Sequence, residues 1–270
     1  MAHSPVRLPL PLIGEKLHST GSQQFHGKRF ISSKTMKQTL LVLLTLMATT
    51  SFAGDTTFLY CFSGLGADER AFQRMELPPG YEARFIQWIK PEDNENLDHY
   101  AGRLSAQVDT TRPYSFLGLS FGGMVALTMS RQLQPRQIIL VSSMSKPAQA
   151  AGIVRFLGKS GLYHIFPFGL FLIPNRFVYE AFGAKDEGTK KMLAGILKDT
   201  SIPFFRWAIG QMSHWPGVKP PPNCWHIHGA DDKIIPANIV HADVLVPGAG
   251  HLMIYDHAAA VNKLLAGHLR

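Results

Sequence analysis

At 270 residues, 46 % of them hydrophobic and 17 % charged, the chain is long enough for one large domain with a full core or for two small ones. It is too apolar for a disordered tail, and it carries no internal repeat of solenoid type. The formal net charge of +8 is concentrated at the front: residues 1–53 hold six basic residues against Glu15 alone, and the rest holds 21 basic and 18 acidic. That balance is ordinary for a globular domain, so nucleic acid is excluded as the expected partner.

Residues 1–35 are rich in Pro, Ser and Arg and have no apolar period. They read as a disordered upstream extension, or as sequence ahead of the true initiator at Met36. From Met36 the chain has the layout of a secretory signal peptide over 36–53: Lys37, an apolar stretch from Leu40 to Ala48, then Ser51 and Ala53 at a cut before Gly54. A permanent bilayer span needs about 20 apolar residues, so export with cleavage near Ala53 is expected. Anchoring through residues 40–53 is the alternative.

After the leader, strand-like and helix-like segments alternate, which predicts a mostly parallel sheet with helices on both faces. The expected elements are a strand over Thr57–Phe62, a short helix over Asp68–Met75, a strand over Ala83–Ile89 and a helix over Leu97–Val108. Strand Ser115–Leu119, helix Gly122–Leu133 and strand Gln137–Ser142 follow. The alternation breaks near Lys146 and resumes at Asn223 with CWHIHG, then ADVLVPG, then a closing helix over His257–Leu269. The intervening segment, about 147–222, is rich in Phe, Tyr, Trp and Pro and reads as a helical cap inserted between two strands, over the edge where open α/β sheets bind ligands. The domain is therefore expected over 54–270, with about six strands.

Three positions stand out chemically. Gly118-Leu119-Ser120-Phe121-Gly122 fits G-x-S-x-G between a strand and a helix, where a serine is held at an exposed, strained bend and needs nearly side-chain-free neighbours. A hydroxyl needs a base, and the base an orienting acid. Gly229-Ala230-Asp231-Asp232 puts acids on a loop leaving a strand, and Gly248-Ala249-Gly250-His251 puts an imidazole on a glycine-rich loop. Read blandly, Ser120 is a turn residue, the acids end a strand and His251 caps a helix; all three at the right order and spacing favour catalysis.

With those motifs in place, the sequence resembles the α/β-hydrolase fold superfamily across essentially all of 55–270, matching its acid loop as GADDKIIP and its terminal motif as GAGH. The resemblance implies Ser120 as nucleophile, Asp232 as acid with Asp231 as the fallback, and His251 as base. It also implies an oxyanion hole from the N–H groups of Phe121 and Leu65, although Ser63-Gly64-Leu65 stands where the family often has His-Gly. Against the full family sheet, a compact six-stranded version without the first two strands is expected. The expected reaction is cleavage of an ester, thioester or lactone of a hydrophobic substrate through an acyl-enzyme, without a cofactor. An acyltransferase with the same triad and a non-catalytic binder of hydrophobic ligands are the alternatives.

His226 and His228 resemble the start of a metal motif, but lack further ligands and read as packed or hydrogen-bonded strand residues. His99, His214, His241 and His257 read as structural or surface residues. Cys61 and Cys224 are either free thiols or a bridge. The aromatic residues of 147–222 serve mostly as the cap's own core, with some lining an acyl pocket. Arg155, Lys159 and Arg176 among them point to weak membrane-surface contact.

Overall fold

A computed structural model describes residues 56–269; the leader and upstream extension read from the sequence lie outside the described residues. Six parallel strands form one sheet in the order β2-β1-β3-β4-β5-β6. They are β1 (Thr57–Phe62), β2 (Tyr81–Phe85), β3 (Tyr114–Leu119), β4 (Ile138–Val141), β5 (Cys224–Gly229) and β6 (Val244–Val246).

β1, β3 and β4 are buried along their whole length, as strands covered on both faces must be. Alternation then splits their side chains between two cores. Phe58, Tyr60, Phe62 and Phe116 face one core, with α1 (Leu97–Leu104), α2 (Phe121–Met129) and α6 (Ile202–His214). Leu59, Cys61, Leu117 and Val141 face the other, with α5 (Glu187–Asp199) and α8 (Ala258–His268). Between β4 and β5 lie α3 (Gly152–Ser160), short 3-10 turns, α4 (Arg176–Phe182), α5 and α6. A short helix, α7 (Met253–Asp256), precedes α8. Among the described residues no helix is long and apolar enough to cross a membrane.

Several expected elements are shifted or shortened. The second strand ends at Phe85, and Trp88 lies beyond it, tilted against Tyr100, Phe121 and Phe204. The apolar run there reflects that packing, not strand pairing. The turn after β1 is a 3-10 turn over Glu69–Phe72, capped by Asp68, instead of a helix to Met75. α1 tightens into 3-10 geometry after Leu104, and α2 stops at Met129, where Ser130 returns its hydroxyl to the Leu127 carbonyl. Cys61 and Cys224 are both free thiols. Two strands separate β1 from β5, roughly 14 Å at ordinary strand spacing, so no bridge can form between them.

Candidate active site

β3 ends because Ser120 adopts φ 52°, ψ −120°, a conformation that a non-glycine residue keeps only when its surroundings enforce it. Its N–H donates to the Val141 carbonyl at 2.9 Å, and its own carbonyl accepts from the Gly123 N–H at 3.0 Å and the Ser143 hydroxyl at 2.6 Å. The flanking glycines are fixed by space. A Cβ on Gly118 would strike the Gly123 backbone, and one on Gly122 would strike the Phe62 and Ser63 carbonyl oxygens. Gly122→Ala is therefore expected to cost about 3 kcal/mol through overpacking and to lower Tm by roughly 6–12 °C for a domain of this size. A thermal melt that leaves Tm unchanged contradicts this reading of the bend.

His251 reaches Ser120 from the loop after β6. Its Nε2 lies 2.9 Å from Ser120 Oγ, and its Nδ1 lies 2.8 Å from Asp232 Oδ2. A carboxylate only accepts, so Nδ1 carries the proton and the Nε2 lone pair is left to accept the serine hydroxyl. His251 and Asp232 are both buried. The second carboxylate oxygen, Oδ1, accepts the Ile234 and Ile235 N–H groups at 2.8 and 2.9 Å. Burial by itself would raise the Asp232 carboxyl, but the charge of His251 and hydrogen bonds from His228, His251 and the Ile235 N–H hold it well below the usual carboxylate range. Asp231, the fallback acid, is exposed; its backbone N–H ties the acid loop to Ala249 of the base loop at 2.9 Å.

Phe121 opens α2, and the N–H groups of a first helical turn have no partner within the helix and sit at its positive end. Leu65 lies on the opposite flank, in the loop after β1. That loop rests against the serine: a Cβ on Gly64 would stand 3.6 Å from Ser120 Cβ. It is pinned by the Ser63 hydroxyl and the Trp88 indole N–H, which both donate to the Ala67 carbonyl at 2.6 and 3.0 Å. Two backbone segments, the start of α2 and the loop after β1, thus border Ser120.

The helices between β4 and β5 reach the site. The Phe182 ring stands edge-on to His251 at 5.8 Å, and the Gly183 backbone closely approaches Gly250. Of the aromatic residues in this segment, Phe168, Phe204 and Trp215 are buried, whereas Phe156, Phe171 and Phe177 are exposed. A cleft of about 1140 Å³ borders the Gly66 loop and is walled by Trp88, Phe204 and Trp207, whose rings also meet Phe121. A second, of about 1440 Å³, borders Asp232 and Gly250 and carries Lys185, Lys190 and Lys233.

His228 is the site neighbour that sequence reasoning left out. It is fully buried, and its Nε2 lies 2.8 Å from the Ile235 carbonyl and 3.3 Å from Asp232 Oδ2. The available signal was its position just before the acid-loop glycine, on the strand that feeds Asp232. Glu92, Glu95 and His99 also converge. The Glu95 carboxylate there already accepts from Arg103 at 2.8 Å and meets His99 Nδ1 at 2.6 Å, so the cluster is an ion-pair network.

A family model described as "Alpha/beta hydrolase family" matches residues 44–264. Solved structures similar to this chain include an esterase from Thermogutta terrifontis, at 17 % identity and TM-score 0.58 over 80 % of this chain and 90 % of that one. A bromoperoxidase from Bacillus anthracis is similar at 14 % identity and TM-score 0.61, over 80 % and 92 %. The RedJ thioesterase from Streptomyces coelicolor is similar at 16 % identity and TM-score 0.55, over 80 % and 91 %. At these identities the likeness is one of fold. No curated protein matches the chain.

Proposed function

We propose, from the premise that this chain belongs to the alpha/beta hydrolase family, that it is a serine hydrolase cleaving an ester or related acyl bond of a hydrophobic substrate. The observation that carries this reading is the unbroken chain Ser120 Oγ to His251 Nε2 at 2.9 Å and His251 Nδ1 to Asp232 Oδ2 at 2.8 Å. Ser120 Oγ attacks the acyl carbon while His251 Nε2 takes its proton, and the N–H groups of Phe121 and Leu65 receive the oxyanion. His251 returns the proton to the leaving oxygen, which departs and leaves an acyl-Ser120 ester. Water attacks that ester by the same route and restores the hydroxyl. Asp232 keeps His251 in the productive tautomer and stabilises its cationic form.

The acyl group lies against the Trp88, Phe204 and Trp207 wall, and residues 147–222 act as a cap over it. The signal-peptide pattern of 36–53 supports export of the mature chain. Turnover of p-nitrophenyl esters from acetyl to palmitoyl tests the reading. A defined optimum in chain length is expected, and no turnover of any member of the series contradicts it.

The cap's outer surface meets an anionic lipid surface. Of the twelve large apolar side chains exposed among the described residues, eight lie between Ile153 and Phe177, including Phe156, Ile165 and Phe177. Arg155 and Lys159 are interleaved with them, and the sequence holds no acidic residue between Asp109 and Glu180. Such a surface combines apolar insertion with attraction to anionic headgroups. Co-sedimentation is expected with phosphatidylglycerol-containing vesicles, falling with added salt and with Phe156→Asp/Ile165→Asp/Phe177→Asp. No binding at low salt, or a stable dimer through this face that the triple variant dissolves, overturns the assignment.

A further inference from the structure

The two strand histidines that resemble half of a metal motif have a different use in the fold. They sit two residues apart on β5, so they share one face of the sheet. Their rings meet edge to face at 5.2 Å, and His226 Nε2 lies 3.2 Å from His228 Nδ1. At the far end of the pair, His228 Nε2 faces the Ile235 carbonyl at 2.8 Å and Asp232 Oδ2 at 3.3 Å. Both of those oxygens only accept, so His228 Nε2 must carry a proton. In a neutral His228 the Nδ1 lone pair is then free, and it is satisfied only if His226 Nε2 carries a proton as well. Hydrogen-bond direction is thereby set along the pair, from His226 to His228 to the Ile235 carbonyl, with Asp232 Oδ2 as the longer second acceptor.

Ile235 closes this arrangement. Its carbonyl accepts from His228, and its N–H donates to Asp232 Oδ1 at 2.9 Å. Asp232 Oδ2 is shared between His251 Nδ1 at 2.8 Å and the more distant His228 Nε2. The carboxylate is therefore held by three N–H groups, and the His228 Nε2–H that fixes the Ile235 peptide stands 3.3 Å from its Oδ2. We propose that the His226–His228 pair is a positioning device for Asp232, fixing its orientation and restraining its basicity toward His251 through a directed chain of N–H donors.

The polar surroundings of the pair agree with this proton order. Asp243 is engaged with the backbone of His226, accepting its N–H at 2.7 Å. His226 lines a groove with His241, Asp243, Lys146 and Lys219, while His228 makes its polar contacts among the described residues with Asp232, Ile235 and His226. Burial and the neighbouring ring push the His226 imidazole down to about 4, against the pull of Asp243 and the His241 backbone. Above that pH the His226 imidazole is uncharged.

This inference rests on the proposed Ser120 hydrolysis, and its test separates the two. His228→Gln places an amide nitrogen near the position of Nε2, whereas His228→Asn places one near Nδ1, too short to reach Asp232. With a short-chain p-nitrophenyl ester, His228→Asn and His228→Leu are expected to lower kcat on the order of 10-fold, the scale of losing one buried hydrogen bond that fixes the acid loop, with KM within twofold. A carboxylate freed of one donor pulls harder on the His251 proton, so the acidic limb of the kcat/KM profile moves to higher pH. His228→Gln is expected to restore both the rate and the limb. The proposal is overturned if Gln and Asn variants of equal thermal stability behave alike, or if His228→Leu keeps the wild-type limb. Full activity in Ser120→Ala protein would instead remove the hydrolase reading itself.

Discussion

Ser120→Ala is expected to lower the rate of p-nitrophenyl ester hydrolysis by about 10⁴-fold or more, the scale seen when a serine nucleophile is removed from an otherwise intact triad. The fold should be untouched. Ser120 holds its strained conformation through backbone bonds to Val141, Gly123 and Ser143 that an alanine retains. The lost hydroxyl makes one hydrogen bond, to His251. Contacts remote from this hydroxyl are unchanged, so the loss falls on kcat while KM changes little. A variant that keeps even a tenth of the wild-type kcat contradicts nucleophilic attack by this oxygen.

Asp232→Asn is expected to lower kcat by about 10³- to 10⁴-fold, because an amide in place of the carboxylate allows the opposite tautomer of His251 and leaves its cationic form without a counter-charge. The geometry predicts a further consequence. Asp232 accepts from His251, Ile234 and Ile235, with His228 Nε2 3.3 Å away; an amide NH₂ turned toward Ile234 and Ile235 meets other N–H groups, and one turned toward His251 is accommodated only by the unproductive tautomer. The carboxyl is held below its ordinary value in the fold, so its contribution to stability is complete above about pH 5 and is lost as acid protonates the folded state. The melting temperatures of wild type and Asp232→Asn should therefore converge as the pH is lowered. A constant gap down to strongly acid pH, or a kcat within tenfold of wild type, argues against this role.

The parts of the molecule legible in the sequence are those where one local constraint dominates. The bounds of β1 follow from an apolar run with no polar face, which is what burial on both sides of a parallel sheet requires. The bend at Ser120 is legible because two glycines are forced by close backbone approach. Asp232 was separable from Asp231 only through the register of the family's acid loop, since nothing local distinguishes two adjacent aspartates; in the fold one is buried against His251 and the other is exposed.

What stayed hidden depends on tertiary contact. Trp88 extends an apolar stretch that reads as strand, yet its ring leaves the sheet edge to pack on Tyr100, Phe121 and Phe204. The link from His228 to Asp232 exists only because the loop after β5 folds back on its own strand through Ile235. The apolar content of 153–177 was plain, but sequence could not say that Phe156 and Phe177 face outward while Phe168 faces in.

Trapping the covalent intermediate tests the account most directly. Protein mixed with excess p-nitrophenyl ester, quenched in acid within the first turnovers and digested, should yield a peptide containing Ser120 that is heavier by one acyl group. The same peptide from Ser120→Ala should carry none. An acyl group found on another residue, or burst-free turnover with no adduct in the wild type, contradicts the acyl-enzyme on Ser120.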